Sequence, residues 1–265
     1  MTIMSSSSKA VILAAGFGTR LRPLTDLRPK PLVEVNGVSI LHNALRNLQR
    51  IGVRDVTIVV GYRKDAIEYA CDHHFEGIDL HYVESAVFDH TGSAYSLWLA
   101  RDTLLSGGCY ILEGDVFFEL DALEALRDTP FRDAIDVAPF DERMEGSAVV
   151  LSENGLISEV RMKQTSIDLF RPGAPRLYKT MNLMRFSHDT LRTLIVPMLD
   201  DLIGSGAHKA YTEELLSLLI SNHGLKLGAT RCDALRWYEI DSKEDLQIAE
   251  ALFRDKPALA LSQAV

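Results

Sequence analysis

The chain has 265 residues, 47% of them hydrophobic and 8% aromatic, which is material for a substantial core and unlike a disordered composition. A formal net charge of -9 argues against nucleic acid or an anionic membrane as the main partner, because both reward a basic surface. It leaves open a small anionic ligand gripped by local cations. The cysteines, Cys71, Cys109 and Cys232, are widely spaced and form no C-x-x-C pair, so they read as reduced thiols rather than disulfides or zinc ligands. No apolar run is long enough to span a membrane, and Met1 to Ser8 lacks the apolar stretch of a signal peptide. The expectation is a cytoplasmic protein with a frayed, Ser-rich tail at 1–8, a second tail at 256–265, and one continuous domain over 9–255.

In chain order, Lys9 to Ala15 is a short apolar run ending in glycines, as a buried parallel strand reads. Gly16 to Pro31 reads as a long loop rich in Gly, Pro, Thr and Arg. Leu41, Ala44, Leu45 and Leu48 then share one helical face. Asp55 to Val60 is a β-branched run stopped by Gly61; a helix through Lys64 to His73 and a strand over Ile78 to Val83 follow. Ser93 to Leu105 has helical periodicity, and Gly108 to Leu112 is another apolar strand, running into Glu113-Gly114-Asp115. Strand and helix thus alternate through 9–130, the pattern of an α/β fold with a three-layer, mostly parallel, doubly wound sheet. Over 131–235 the pattern changes to short strand-like pieces, Ala134–Val137, Ala148–Leu151, Leu156–Val160 and Lys179–Phe186, separated by turn signals at Glu153-Asn154-Gly155 and Arg171-Pro172-Gly173. These read as a small β-rich insertion laid over one side of the sheet as a lid. Two helices lead to 236–255, a closing strand Arg236–Ile240 and a last helix whose Ser242 and Asp245 fit a capping box.

Chemistry concentrates where the first strand ends, in Leu13-Ala14-Ala15-Gly16-Phe17-Gly18-Thr19-Arg20. Ligands of open α/β sheets bind at the carboxyl ends of strands. Gly16 and Gly18 can take positive φ and turn backbone N–H groups toward phosphate oxygens, and Arg20 can grip a phosphate with two donors. Further on, Lys30 is held between Pro29 and Pro31, whose fixed φ restricts where its ammonium points. No Gly-Lys-Ser/Thr follows the glycines, so this is not a Walker A loop; Arg20-Leu21 stands where the dinucleotide fingerprint needs a third glycine, which argues against a dehydrogenase. Asp115 and Asp241 each follow a strand, on the same side as this loop. Magnesium commonly takes one or two protein carboxylates together with phosphates and water, so the two aspartates are candidate Mg2+ ligands.

The run from Leu13 to Arg20, continued by Pro29-Lys30-Pro31-Leu32, resembles the signature L-A-A-G-x-G-[ST]-R … P-K of the nucleotidyltransferases that make nucleotide-activated sugars and cytidylyl alcohols. The resemblance implies a Rossmann-like, GT-A-like nucleotidyltransferase fold with an acceptor-binding insertion. It also implies that Leu13 to Thr19 wrap the triphosphate, that Arg20 and Lys30 stabilise charge at the α-phosphorus, and that Asp115 and Asp241 match the family's metal-binding aspartates. Thr91-Gly92-Ser93-Ala94 resembles the G-T-A turn that packs against the base, with Ser93 in the Thr place; an N-cap role for Ser93 is compatible with this. Tyr178-Lys179-Thr180-Met181-Asn182 looks like the Y-K-T-V-N stretch of phosphonate cytidylyltransferases, which would set Lys179, with Asn182 beside it, against the acceptor's phosphoryl group. Arg236 to Asp241 resembles the same branch and the phosphocholine cytidylyltransferases. The sequence departs from that branch at Thr91-Gly92-Ser93, where an Asn-rich stretch would stand. Trp98, Trp237 and Tyr238 read as core aromatics rather than a cage for a quaternary amine.

The expected activity is transfer of CMP from CTP, with magnesium, to a small phosphonate or phosphate-ester acceptor. A sugar-1-phosphate nucleotidyltransferase using UTP, dTTP or GTP is the alternative. A non-catalytic nucleotide-binding module is a third reading, disfavoured because Arg20, Lys30, Asp115 and Asp241 are all present. The sequence leaves a homo-oligomer open.

Overall fold

The computed structural model describes residues 9–254; the expected tails at 1–8 and 256–265, with residue 255, lie outside the described residues. The first half contributes β1 (Lys9–Ala14), a hairpin of β2 (Glu34–Val35) and β3 (Val38–Ser39), β4 (Asp55–Val60), β5 (His74–Phe75), β6 (Ile78–Glu84) and β7 (Cys109–Glu113). After β8 (Val116–Phe118) come β9 (Ala134–Pro139), β10 (Gly146–Leu151), β11 (Ile157–Gln164), β12 (Leu177–Phe186), β13 (Gly228–Arg231) and β14 (Trp237–Glu239).

Four of these form the parallel centre, with β1 between β7 and β4, and β6 beyond β4. Their side chains alternate between two cores. Ala10, Ile12 and Ala14 of β1 pack with Leu41, Leu45 and Leu48 of helix Ile40–Arg50 on one face. Val11 and Leu13 pack with Ala94, Leu97, Leu215 and Leu219 on the other. A helix layer on each face leaves β1 and β7 almost wholly apolar, which is why they read as hydrophobic runs, whereas β6 alternates. Each fully buried Leu or Ile contributes about 1.5–3 kcal/mol.

The doubly wound α/β layering stands as expected; the lid does not. The strands of the second half join the same ten-stranded sheet, in the order β11-β10-β12-β7-β1-β4-β6-β5, with β9 pairing β12 and β13. β12 is the hinge of this extension, antiparallel to β7, β10 and β9, and all ten of its residues are buried. The insertion therefore prolongs the sheet sideways.

Smaller departures are local. Gly16 to Pro31 is not a plain loop but contains short helical turns at Thr19–Leu21, Leu24–Leu27 and, reaching one residue beyond Pro31, Lys30–Leu32. The helix expected over Ser93 to Leu105 is two, Ser93–Leu99 and Arg101–Leu105, meeting at Ala100. β14 lies outside the main sheet and pairs antiparallel with β8. Trp98, Trp237 and Tyr238 belong to three different apolar clusters, so they form no cage. The cysteines are free and buried, and burial pushes the Cys71 thiol up to about 12. No helix among the described residues is long and apolar enough to cross a membrane.

Candidate active site

A cleft of about 410 Å³ opens at the carboxyl ends of β1 and β7. One wall is the glycine loop. Gly18 has φ 63°, and a Cβ there would come within 2.8 Å of the Lys30 Cβ, so the left-handed turn makes room for the lysine stem. Gly16 does not take positive φ, contrary to expectation; a Cβ there would meet nothing within 4 Å, so its face toward the cleft is open. The buried Thr25 hydroxyl donates to the Gly18 carbonyl at 2.8 Å, and the Tyr62 hydroxyl donates to the Thr25 carbonyl at 3.0 Å, which ties the loop down. Phe17 does not line the cleft; it packs on Tyr62 and Phe88, with ring centroids at 5.0 and 4.9 Å.

The opposite wall carries the aspartates, brought together by the β8–β14 ribbon. Glu239 lies across from Val116, and the Ile240 N–H donates to the Asp115 carbonyl at 2.9 Å, so the two aspartates sit at one end of the ribbon. Its other edge is fixed by helix Ile40–Arg50: Asn47 donates to the Phe118 carbonyl at 3.0 Å, and Asn43 accepts from the Phe118 N–H at 3.2 Å. The Ser242–Asp245 capping box then starts the last helix just after Asp241, as expected, with Ser242 Oγ donating to Asp245 at 2.8 Å and accepting from its N–H at 3.1 Å.

Between the walls Lys30 joins both acids, with its Nζ 2.9 Å from Asp115 Oδ2 and 2.6 Å from Asp241 Oδ1. Arg20 adds a contact of 2.8 Å to the other oxygen of Asp241, while its own side chain stays 71% exposed. Burial works against the Lys30 ammonium, but the two carboxylates outweigh it and hold its proton above the ordinary lysine range. Burial likewise opposes the charge of Asp241, and Lys30 and Arg20 more than offset it, keeping its carboxyl below the usual range. Asp115 Oδ1 is buried and has no hydrogen-bond partner.

The remaining expected residues divide. Leu13, Ala14, Ala15, Thr19, Gly92 and Ser93 line the cleft with the residues above; Ala94 does not, being wholly buried in the core. Ser93 is not the N-cap. Gly92 holds that position, and Ser93 Oγ accepts instead from the Thr212 N–H at 2.9 Å and its hydroxyl at 3.0 Å, joining two helix starts. Lys179 and Asn182 lie behind the wall, 5% and 3% exposed. Lys179 pairs with Glu239 at 2.8 Å; burial disfavours its ammonium, but Glu239 and further acids hold the proton above the ordinary range. Asn182 donates to Glu113 Oε2 at 3.3 Å. Phe88, Ser96, Glu113 and Tyr211 also line the cleft and were not anticipated. Glu113 had a signal: a charge ends the apolar run Cys109–Leu112 where a buried strand would carry another apolar residue.

This arrangement is a cleft with an open glycine turn, two cations and two converging carboxylates. The profile of the family described as nucleotidyl transferase matches residues 9–143, more than half of the chain. The chain belongs to the nucleotidyl transferase family. Within that family it is 31% identical over 246 residues to a CMP-5'-(3-aminopropyl)phosphonate synthase of Streptomyces rubellomurinus, covering 92% of this chain and 38% of that protein. It is 34% identical over 112 residues to a 2-aminoethylphosphonate cytidylyltransferase of Lancefieldella rimae, covering 42% of this chain and 44% of that one. The chain thus aligns with less than half the length of either relative. The fold matches the CTP:phosphocholine cytidylyltransferase of Streptococcus pneumoniae with a TM-score of 0.74 at 22% identity, over 93% of this chain and 99% of that one. The resemblance drawn from the glycine loop and Lys30 is therefore sound at the level of family and fold.

Proposed function

We propose that this nucleotidyl transferase moves CMP from CTP to a small phosphonate or phosphate-ester acceptor and releases pyrophosphate. The observation that carries the reading is the meeting of Lys30, Asp115 and Asp241 beneath an open glycine turn. The names of the relatives, which act on aminoalkylphosphonates, support the choice of base and acceptor. A cytoplasmic setting goes with this reading, since CTP is an intracellular metabolite.

In this mechanism an oxygen of the acceptor's phosphonate or phosphate attacks the α-phosphorus in line. The new P–O bond forms as the bond to the bridging oxygen of the β-phosphate breaks, and that oxygen leaves with pyrophosphate. The attacking oxygen is already anionic, so no general base is required; positioning and charge neutralisation supply the rate. Lys30 and Arg20 exchange their carboxylate partners for phosphate oxygens when the triphosphate enters. The turn at Gly92 and Ser93 supports the base. Lys179 gives up Glu239 to meet the acceptor's phosphoryl group.

Asp115 and Asp241 fit a magnesium ion by their donor chemistry: both offer carboxylate oxygens, and Asp115 has a buried Oδ1 that nothing else partners, while the Lys30 ammonium now bridges the other oxygens. Bound there with the triphosphate, magnesium would neutralise phosphate charge. No group of three or more His, Cys, Asp or Glu that could hold a metal occurs among the described residues, and a phosphate-borne ion calls for only one or two.

The test is a pyrophosphate-release screen of CTP, UTP, dTTP and GTP against phosphonates, phosphocholine and sugar 1-phosphates. Acceptor-dependent release with CTP and a phosphonate is the expected result. Release only with sugar 1-phosphates selects the sugar-nucleotide reading, which the turn at Gly92 favours by its likeness to G-T-A. Nucleotide binding without release from any pair would leave the non-catalytic module.

A further inference from the structure

A second hollow, of about 370 Å³, lies beside β10, β12 and β13 and shares no residue with the cleft. Its apolar sides are Val150 and Leu151 at the end of β10 and Pro175 just before β12, all half-buried. Tyr178 of β12 also lines it and is only 6% exposed. Two guanidiniums share that ring, with the Cζ atoms of Arg176 and Arg231 each 5.2 Å from its centroid. Arg231 is already matched: its Nε donates to Asp233 Oδ1 at 3.1 Å, and its Nη2 donates to Oδ2. Arg176 is not. Its side chain enters no ion pair or hydrogen bond among the described residues, and the Tyr178 hydroxyl enters no hydrogen bond among them either. Glu153, the acid of the lining, is exposed on the turn after β10 and is likewise without an ion pair among the described residues. Stacking on a buried ring restrains the Arg176 guanidinium, so its donors are held at the hollow before any ligand arrives.

We propose that this hollow is a second binding site, for a small anion carried on a compact apolar body. Arg176 supplies the planar fork of donors that a carboxylate or phosphate accepts, and the Tyr178 hydroxyl a further donor. Val150, Leu151 and Pro175 supply the apolar contact. The volume falls within the range of about 300–1,000 Å³ usual for small-molecule sites. The Tyr178 ring packs into the core on one face of β12, while the next residue, Lys179, leaves the opposite face and pairs with Glu239. A ligand seated in the hollow therefore bears on the strand that backs the cleft wall. The site does not rest on the transferase reading, since none of the residues lining it takes part in that chemistry.

The experiment measures binding of benzoate, of phenyl phosphate and of benzamide, the uncharged analogue of benzoate, by calorimetry. The wild-type protein is expected to bind at least one of the anions about ten- to a hundredfold more tightly than benzamide, the worth of a hydrogen-bonded charge. Arg176→Gln is expected to bring that preference within about threefold, with an unchanged melting temperature because Arg176 is exposed. Tyr178→Phe keeps the ring and removes only the hydroxyl, so it should weaken the anion less than Arg176→Gln does. Lys30→Ala, which disarms the cleft, should leave the preference in place. Tighter benzoate assigns the site to carboxylates, and tighter phenyl phosphate assigns it to phosphate esters. No preference over benzamide in wild type would overturn the site. So would an anion preference that survives Arg176→Gln, or one that disappears in Lys30→Ala and thereby belongs to the cleft. Arg176-dependent binding with no pyrophosphate release from any nucleotide would sink the transferase reading and leave this site standing.

Discussion

The two sides of the cleft treat charge in opposite ways. On the glycine-loop side every charge has a partner: Lys30 with Asp115 and Asp241, and Arg20 with Asp241. Toward the second half of the sheet, Glu113 has only the Asn182 amide on one oxygen and nothing on the other, and Asp136 is fully buried with both oxygens unpartnered. On the paired side the charges neutralise one another. The unpaired side carries a standing cost that only a ligand, or a proton, removes. Changes on the first side should therefore act on turnover, and changes on the second on selectivity or stability.

The largest effect should come from Lys30→Ala. Losing a preorganised cation at the transferring phosphorus is expected to lower kcat by about a hundredfold or more, read as acceptor-dependent pyrophosphate release. Full turnover in this variant would break the assignment of the paired side. Next, chelation with EDTA should abolish turnover, and Asp115→Asn should raise the Mg2+ concentration for half-maximal rate by at least about tenfold. An unchanged Mg2+ curve would remove Asp115 from the metal site.

A third change tests the join between the sides. A Cβ on Gly92 would collide with the Ala210 carbonyl, and the Gly92 N–H already donates to the His208 carbonyl at 2.8 Å. Gly92→Ala should cost about 1–3 kcal/mol in thermal or urea unfolding, as other overpacking changes do. No loss of stability would mean that the turn and the 208–210 segment are not in contact.

Asp136 gives the smallest effect and the cleanest contrast, because its carboxylate, like Glu113 Oε1, is buried without a partner but it does not line the cleft. Burial raises its pKa well above the usual carboxylate range, with Cys232 and Arg185 only partly opposing. The unfolded chain releases this proton near pH 4 while the folded chain keeps it, so folding is favoured at low pH and loses ground as pH rises. The loss approaches about 1.4 kcal/mol per pH unit until Asp136 itself ionises. Asp136→Asn should flatten that slope, with a gain in melting temperature at pH 8 and little change near pH 4. A gain that does not vary with pH would show that Asp136 is not the titrating group.

How much of this was legible beforehand follows from how far apart the deciding residues lie. β1, β4 and β7 could be read directly, since their interior positions are apolar but for Thr57. The glycine turn and Lys30 could be read because Pro29 and Pro31 restrain the lysine locally. The edge role of the second half could not. β10 and β11 have ordinary short-strand patterns, and only their pairing through β12 makes them part of the main sheet. β12 misleads further, because Lys179, Thr180, Asn182 and Arg185 lie in a strand that is buried throughout. The N-cap role compatible with Ser93 fails for a related reason: its partner, Thr212, is 119 residues away. Lys179 was placed by resemblance alone, and its pairing with Glu239 came from a ladder between β8 and β14 that no local period announces.

That ladder also sets a schedule. Lys30 reaches Asp115 across 85 residues of chain and Asp241 across 211. Contacts that close such long loops form late in folding, after the local helices and neighbouring strands. A nascent chain can thus complete its glycine turn and parallel centre while Asp241 is still unsynthesised or unpaired, leaving Lys30 with one carboxylate instead of two. The last strand to arrive is the one that closes the charge cluster, so unfinished chains carry a nucleotide-shaped cleft without the full set of groups around it.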